Sequence, residues 1–381
     1  MPEPHSAASR HYFDWAATAI PDTFPPEFPF GNPSSPHHEG FAAREALENA
    51  RSRCASVLGV PPKTLYFTSG GTESNCIPLY SYIARQSGGR ILYSAGEHSS
   101  VTENVRMLER LGKAAGRIPI DSGGRVTGAL LAKTLDKYPD ARFAAIMAVN
   151  NETGAINDMA ALRDVLRGAN PVHLHCDMVQ AAGKIALDIA GWDIDSASFS
   201  AHKLGGPRGI GLLYLRKPIE ALYLGGGQES GIRPGTENVR GALALAACLE
   251  NHAAPEQCAA ANAAAQARMR RLLSALGGME RCRLIPAARD TAGEAYSPYI
   301  VQAAFKDIPG EVMTRALDDL GFAVSTGSAC SSATPERPVL AAMGIEDSLS
   351  LEGIRISQGW SSTGDDIDQL IAAITEVLKF L

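Results

Sequence analysis

The sequence predicts an α/β protein, with a large domain on a mainly parallel sheet and a smaller α+β domain toward the C-terminus. Three observations carry this. From Leu65 onward, short apolar runs alternate with helix-like stretches, the pattern of βα units whose strands pair in parallel. The run from Phe143 to Val149 is apolar throughout, as expected of a strand covered on both faces. Near Ala253 the βα alternation gives way to an Ala-rich helix and then to mixed elements.

The large domain is expected over 14–253, and the small one over 1–13 with 254–381. Leu65 to Phe67 reads as a strand ended by Ser69-Gly70-Gly71, with a helix from Thr72 to about Arg85. Strands follow at Arg90 to Tyr93, Phe143 to Val149, Val172 to His175, Ser196 to Phe199 and Gly211 to Leu215. The second half reads as a helix from Pro255 to Leu276, a strand from Tyr299 to Phe305 and a helix from Gly310 to Leu320. Strands at Phe322 to Ser325 and Ile354 to Ser357 precede a closing helix. That helix opens at Ser362-Thr363-Gly364-Asp365-Asp366, where a hydroxyl and carboxylates complement exposed N–H groups. The Pro-rich stretch from Pro21 to Pro36 reads as an extended loop.

With 381 residues the chain fits about two domains. Its net charge of -6 and lack of a basic block argue against a nucleic-acid partner. No apolar run is long enough to span a bilayer, and Met1 to Trp15 lacks the apolar core of a secretory signal. The seven cysteines are odd in number and none sits at C-x-x-C spacing. This excludes a regular disulfide framework or zinc knuckle and points to free thiols in the cytoplasm.

Polar residues recur at expected strand ends, where α/β proteins bind ligands. Gly70-Gly71-Thr72 joins a strand to a helix start; it suits an anion such as phosphate, and equally a tight capped turn. Asp177 suits the partner of a pyridinium nitrogen or a cap. Lys203 precedes Gly205-Gly206-Pro207 and is either a desolvated amine usable as nucleophile and base or a solvated cation. Asn151 and His98 stand at two further loops of the same edge; their blander readings are an Asn-rich turn and a lone histidine. Cys330 lies among small residues, Ser325 to Ser332, and is either a deliverable thiol or a small buried side chain. Arg355, inside a strand, binds a substrate carboxylate or an internal acid.

In order along the chain, the segments FTSGGTESN, VNNETG, SFSAHKLGGPRGIG, RPGTENV and GSACSS resemble the NifS/IscS-type cysteine desulfurases. These form part of the class V aminotransferase group of fold-type I pyridoxal 5′-phosphate (PLP) enzymes. The resemblance runs from Tyr12-Phe13-Asp14 to Gln358-Gly359 and implies a seven-stranded, mainly parallel sheet. It also implies that L-cysteine is converted to L-alanine, with the sulfur left as a persulfide on Cys330. Lys203 would be the Schiff-base lysine and proton shuttle. Gly71, Thr72, Ser200 and His202 would hold the phosphate. Thr236 would reach the phosphate of a second subunit, implying a homodimer. Asp177 would pair with the ring nitrogen, Gln180 with the phenolic oxygen, and His98 would stack on the ring. Asn151 and Arg355 would take the substrate carboxylate.

Four positions depart from the family's usual residues: Trp15, Leu204, Pro234 and Trp360. Expected partners are a sulfur acceptor or an iron–sulfur scaffold protein. Longer family members carry a scaffold-docking C-terminal extension, which the sequence read here, ending at Leu381, does not contain. The alternatives on this fold are selenocysteine lyase, sulfinate desulfinase, a true aminotransferase and a non-catalytic scaffold.

Overall fold

The computed structural model describes residues 10–23, 27–84, 88–168, 171–221, 223–290, 293–327 and 337–381. Strand β1 (His11–Tyr12) precedes helix α1 (His38–Leu58). The alternation then begins: β2 (Leu65–Thr68), α2 (Gly71–Ala84), β3 (Arg90–Ser94), α3 (Ser99–Arg110), β4 (Ala115–Ile118) and α4 (Gly128–Lys137). It continues through β5 (Ala141–Ala145), α5 (Met159–Arg167), β6 (His173–Asp177), β7 (Ser196–Ser200), β8 (Gly211–Leu215) and α6 (Val239–Cys248). The second half holds α7 (Pro255–Gly277), β9 (Cys282–Ile285), β10 (Ile300–Phe305), α8 (Gly310–Asp319) and β11 (Phe322–Ala323). It closes with α9 (Pro338–Ala342), α10 (Asp347–Leu351), β12 (Gly353–Ser357) and α11 (Gly364–Phe380).

Seven strands form the main sheet in the order β2-β8-β7-β6-β5-β3-β4. Strand β8 runs antiparallel to both β2 and β7, and the remaining pairs are parallel. This is the α/β architecture expected from the sequence. Alternate side chains of each strand point to opposite faces. Ile91, Tyr93, Phe143 and Ala145 pack with Leu79 of α2 and Val101, Val105 and Leu108 of α3. Leu92, Ala144 and Leu174 face the other way and join the largest buried cluster, with Leu47 and Cys54 of α1 and Leu245 of α6.

Strands β12-β10-β9 make a smaller antiparallel sheet. Val301, Ala303, Phe305, Ile354 and Ile356 pack there against Leu272 and Leu276 of α7, Leu317 of α8 and Ile374 of α11. Phe13 belongs to this cluster, because β1 pairs in parallel with β11.

Boundaries differ from expectation mainly at strand ends. The run from Phe143 forms a strand from Ala141 that ends at Ala145. Ile146 and Ala148 still donate to His175 and Asp177 carbonyls, so the chain follows β6 while leaving β3. The expected strand at Phe322 to Ser325 is a two-residue ladder plus one bridge between Ser325 and Arg355. At α11, Thr363 and Asp366 form a reciprocal capping box, as the sequence there suggests.

Strand β2 lies at the sheet's edge, where unpaired backbone groups need partners. A buried ion pair supplies them. Glu229 takes both guanidinium nitrogens of Arg51, at 2.7 and 2.8 Å, and also the Phe67 N–H at 2.7 Å. Arg51 in turn donates to the Leu65 carbonyl at 2.8 Å. The pair thus fixes the strand that leads into Gly70-Gly71. Removing Glu229 leaves buried Arg51 only the exposed Glu48, at 3.0 Å, as an ion-pair partner among the described residues, and strips the Phe67 N–H of its acceptor, so Glu229→Ala is expected to cost about 3 kcal/mol in urea unfolding. A loss under about 1 kcal/mol would mean that the pair behaves like an exposed one.

Candidate active site

The turn after β2 is where helix α2 begins, so its first N–H groups lack helical acceptors. A Cβ at Gly71 would stand 2.7 Å from Val179 Cγ2 and 3.6 Å from Ser200 Cβ. Only glycine lets the turn lie this close to the ends of β6 and β7. Ser200 is buried beside it, while Thr72 in the first helical turn is exposed. The result is a concave corner of backbone amides with a buried serine and an outward threonine, which suits a phosphate.

Asp177 is the last residue of β6 and is buried. Its Oδ2 accepts from Asn75 Nδ2 and its Oδ1 from the Val179 N–H, at 2.8 and 2.9 Å. Among the described residues no cation forms an ion pair with it. Asn75 also donates to Ser100 Oγ at 2.8 Å, and its Oδ1 bonds His175 Nε2 at 2.9 Å. Every polar atom of that amide is used, which fixes its orientation. Burial pushes His175 down to about 3, so it is neutral and must donate from Nε2.

His98 is the N-cap of α3. Its Nδ1 accepts from the Ser100 N–H at 3.1 Å, so in the neutral ring the proton sits on Nε2. Burial holds its pKa below the usual range; the charge of Asp177 opposes this and that of Lys203 adds to it. Next to it, Glu97 is buried and raised by burial to about 8. Burial thus favours its neutral form.

Lys203 follows β7, and its Nζ donates to the Ala16 and Ala17 carbonyls at 2.6 and 2.7 Å. Gln180 Nε2 donates to the same Ala16 carbonyl at 2.7 Å. Burial, then Lys203, lowers neighbouring His202 to about 4. Arg355 in β12 reaches the same corner. It is buried, with Nη2 2.7 Å from Asp14 Oδ1 and Nη1 donating to the Asn151 and Gly327 carbonyls at 3.0 and 3.2 Å. Its Nε is buried and has no hydrogen-bond partner among the described residues. The internal acid anticipated as one reading of Arg355 is therefore present, and three of its five guanidinium N–H groups are used. Asn150 shapes the preceding turn by accepting from the Glu152 and Thr153 N–H groups, both at 2.9 Å.

The structure thus brings Gly71, Ser200, Asp177, His98, Gln180, Lys203, His202, Asn151 and Arg355 to the C-terminal edge of the main sheet and the segment that crosses it. Thr236 is exposed on the loop before α6. Arg233 of that loop meets Glu73 of α2 at 3.2 Å, but no hydrogen bond joins Thr236 to the Gly71 turn among the described residues. Cys330 lies outside the described residues. Asn75, Glu97 and Lys184 were not singled out from the sequence. Asn75 closes the FTSGGTESN segment one helical turn after Gly71, and that spacing was the available signal.

A sheet edge with a glycine turn, a buried acid and a strand-end lysine defines a class of cofactor-dependent α/β enzymes. The class-V aminotransferase family profile matches residues 27–370, and the chain belongs to that family. Its fold is the fold-type I architecture of PLP enzymes. A NifS/IcsS protein homologue of Lactobacillus delbrueckii subsp. bulgaricus is 37% identical over 357 residues, covering 92% of this chain and 90% of its own. A cysteine desulfurase IscS of Pseudomonas savastanoi pv. phaseolicola is 35% identical, covering 97% and 93%. A solved NifS-like protein superposes with a TM-score of 0.88 at 33% identity, covering 98% of this chain and all of its own.

Buried His175 and half-buried His202 set a pH dependence. An unfolded histidine takes its proton near pH 6.5, but folded His175 and His202 take theirs only near 3 and 4. Between those values the unfolded chain binds more protons, so stability falls as pH falls. The melting temperature is expected to drop steadily from pH 7 to about 4. His175→Gln is expected to flatten that slope by up to a few kcal/mol over the interval. An unchanged slope in the variant would rule out His175 as its source.

Proposed function

We propose that this chain is a PLP-dependent cysteine desulfurase that moves sulfur from L-cysteine to Cys330 and releases L-alanine. The observation that carries the reading is the buried Asp177 carboxylate, with no ion-pair partner among the described residues, at the same sheet edge as the Gly71 turn and the Lys203 amine. These residues fit PLP. Gly71, Thr72, Ser200 and His202 would hold its phosphate, Asp177 its ring nitrogen, Gln180 its phenolic oxygen, and His98 would lie against the ring. Lys203 would hold PLP until the substrate amine takes its place, and the group, when bound, would supply an electron sink that acidifies the substrate's Cα–H.

The rest falls to the protein. Arg355 and Asn151 would orient the substrate carboxylate, Arg355 through the Nε–H and Nη2–H that Asp14 and the backbone carbonyls leave unspent. The Lys203 amine, close enough to Lys184 for the two charges to repel, takes the Cα proton and returns one. Cys330 as thiolate attacks the substrate sulfur: an S–S bond forms, the substrate's C–S bond breaks, and the carbon fragment leaves as alanine. Enzyme thiol plus cysteine becomes enzyme persulfide plus alanine, with no outside oxidant.

The reading extends to organisation. We place the large domain at 14–253 and the small one at 1–13 with 254–381. Thr236, exposed before α6, would complete the phosphate site of a second copy, making the enzyme a homodimer. Its setting would be the cytoplasm, handing sulfur to an acceptor or an iron–sulfur scaffold protein. No helix among the described residues is long and apolar enough to cross a membrane.

Incubation with L-cysteine is expected to yield alanine and a persulfide mapped to the Cys330 tryptic peptide. Cys330→Ala is expected to keep the visible PLP absorbance while sulfide release falls at least 100-fold, about 3 kcal/mol of transition-state stabilisation. Lys203→Ala is expected to lose borohydride-fixable PLP. Normal sulfide release by Cys330→Ala would show that another group takes the sulfur.

A further inference from the structure

Lys184 sits in the turn that follows Gln180, with 2% of its surface exposed. Its Nζ donates to Gln180 Oε1 at 2.7 Å. Among the described residues no carboxylate forms an ion pair with it. The other end of the same amide donates from Nε2 to the Ala16 carbonyl at 2.7 Å. An ammonium can only donate and a carbonyl can only accept. The two partners therefore fix which way the Gln180 amide points, and they leave one Nε2–H unspent. The Ala16 carbonyl also takes Lys203 Nζ at 2.6 Å, so this amide lies directly beside the lysine proposed to carry the cofactor.

A buried ammonium with no carboxylate is costly, and such charges persist where an anion completes them. We propose that Lys184 is a positioning residue for the cofactor ring. It pins Gln180 Oε1, turns the free amide N–H toward the ring's phenolic oxygen, and supplies through that amide the positive charge that keeps this oxygen ionised. The proposal rests on the PLP reading above. Its electrostatic side agrees with the surroundings: burial, then Lys203 and Arg355, lower Lys184 to about 7. The charge is thus weakly held in the empty protein, and a neighbouring anion would restore it.

The test uses apoprotein of the full chain, titrated with PLP and with its 3-O-methyl analogue, whose phenolic oxygen cannot ionise. Two neutral variants are compared, Lys184→Met and Lys184→Gln, the second keeping a polar donor in the same space. Either variant is expected to raise the pH midpoint of the bound cofactor's visible band by about one unit and to weaken PLP binding about tenfold. Binding of the analogue is expected to stay as in the wild type. A merely structural role would weaken both ligands equally and leave the midpoint in place, and that result overturns the proposal. The wild type provides an arm that needs no variant. Its preference for PLP over the analogue is expected to shrink as pH rises from 6.5 to 8.5, and a constant preference overturns the proposal. A wild-type chain that takes up no PLP and shows no visible band overturns the underlying reading, and this one with it.

Discussion

The burial of one carboxylate organises the site. Asp177 is brought to the end of β6 by a strand that is covered on both faces, and a charge there needs donors on every side. Asn75 and the Val179 N–H provide two. Asn75 can do so only because His175 and Ser100 use up the rest of its amide. His175 can do so only because burial keeps it neutral with a proton on Nε2. Ser100 in turn holds His98 at the start of α3. A network in which each member satisfies the next is rigid and specific.

The second constraint is the segment from Phe13 to Ala19, which belongs to neither sheet yet touches both. Asp14 pairs with Arg355, the Ala16 N–H donates to Ser357 Oγ at 2.9 Å, and the Ala16 and Ala17 carbonyls receive Lys203. It is through this stretch of backbone that the β12 arginine and the β7 lysine meet in one pocket. Trp15 anchors it. A Cβ at Gly359 would stand 2.0 Å from the Trp15 ring, which also meets Trp360 edge-on at 5.5 Å. Trp360 stacks on His252 at 4.0 Å. Two of the four departures from the family's usual residues are thus one packed unit joining the end of the small sheet to His252, just beyond α6.

The alternation of βα elements, the glycine turn, and the strand-end placement of Asp177 and Lys203 were legible because each leaves a local mark: a period, a glycine pair, a polar residue after an apolar run. Strand Gly211–Leu215 matches its observed limits because a glycine and an Arg-Lys-Pro stretch bound it. What was not legible is pairing across distance. Nothing local in Asn75 announces three partners spread over a hundred residues of sequence, and nothing in Glu229 announces a buried ion pair 178 residues away. Likewise β1 is two residues long, and only its partner β11 makes it a strand. Such features are decided by tertiary burial, which a single sequence does not display.

The balance of charge in the pocket explains its readiness for anions. Lys203 and, through Gln180, Lys184 meet at the Ala16 carbonyl, while Arg355 nearby pairs with Asp14 and lies within reach of the Glu152 charge. Burial and mutual repulsion act on the basic groups together: Lys184, His98 and His202 all lie below their ordinary values. Glu97 is shifted the other way, to about 8, so burial favours its neutral form. A site short of negative charge in this way gains most from ligands that bring it, as the proposed phosphate, phenolate and substrate carboxylate would. Each anion that enters raises the affinity of its neighbours for protons, so filling the site restores the charges that the empty pocket holds only weakly.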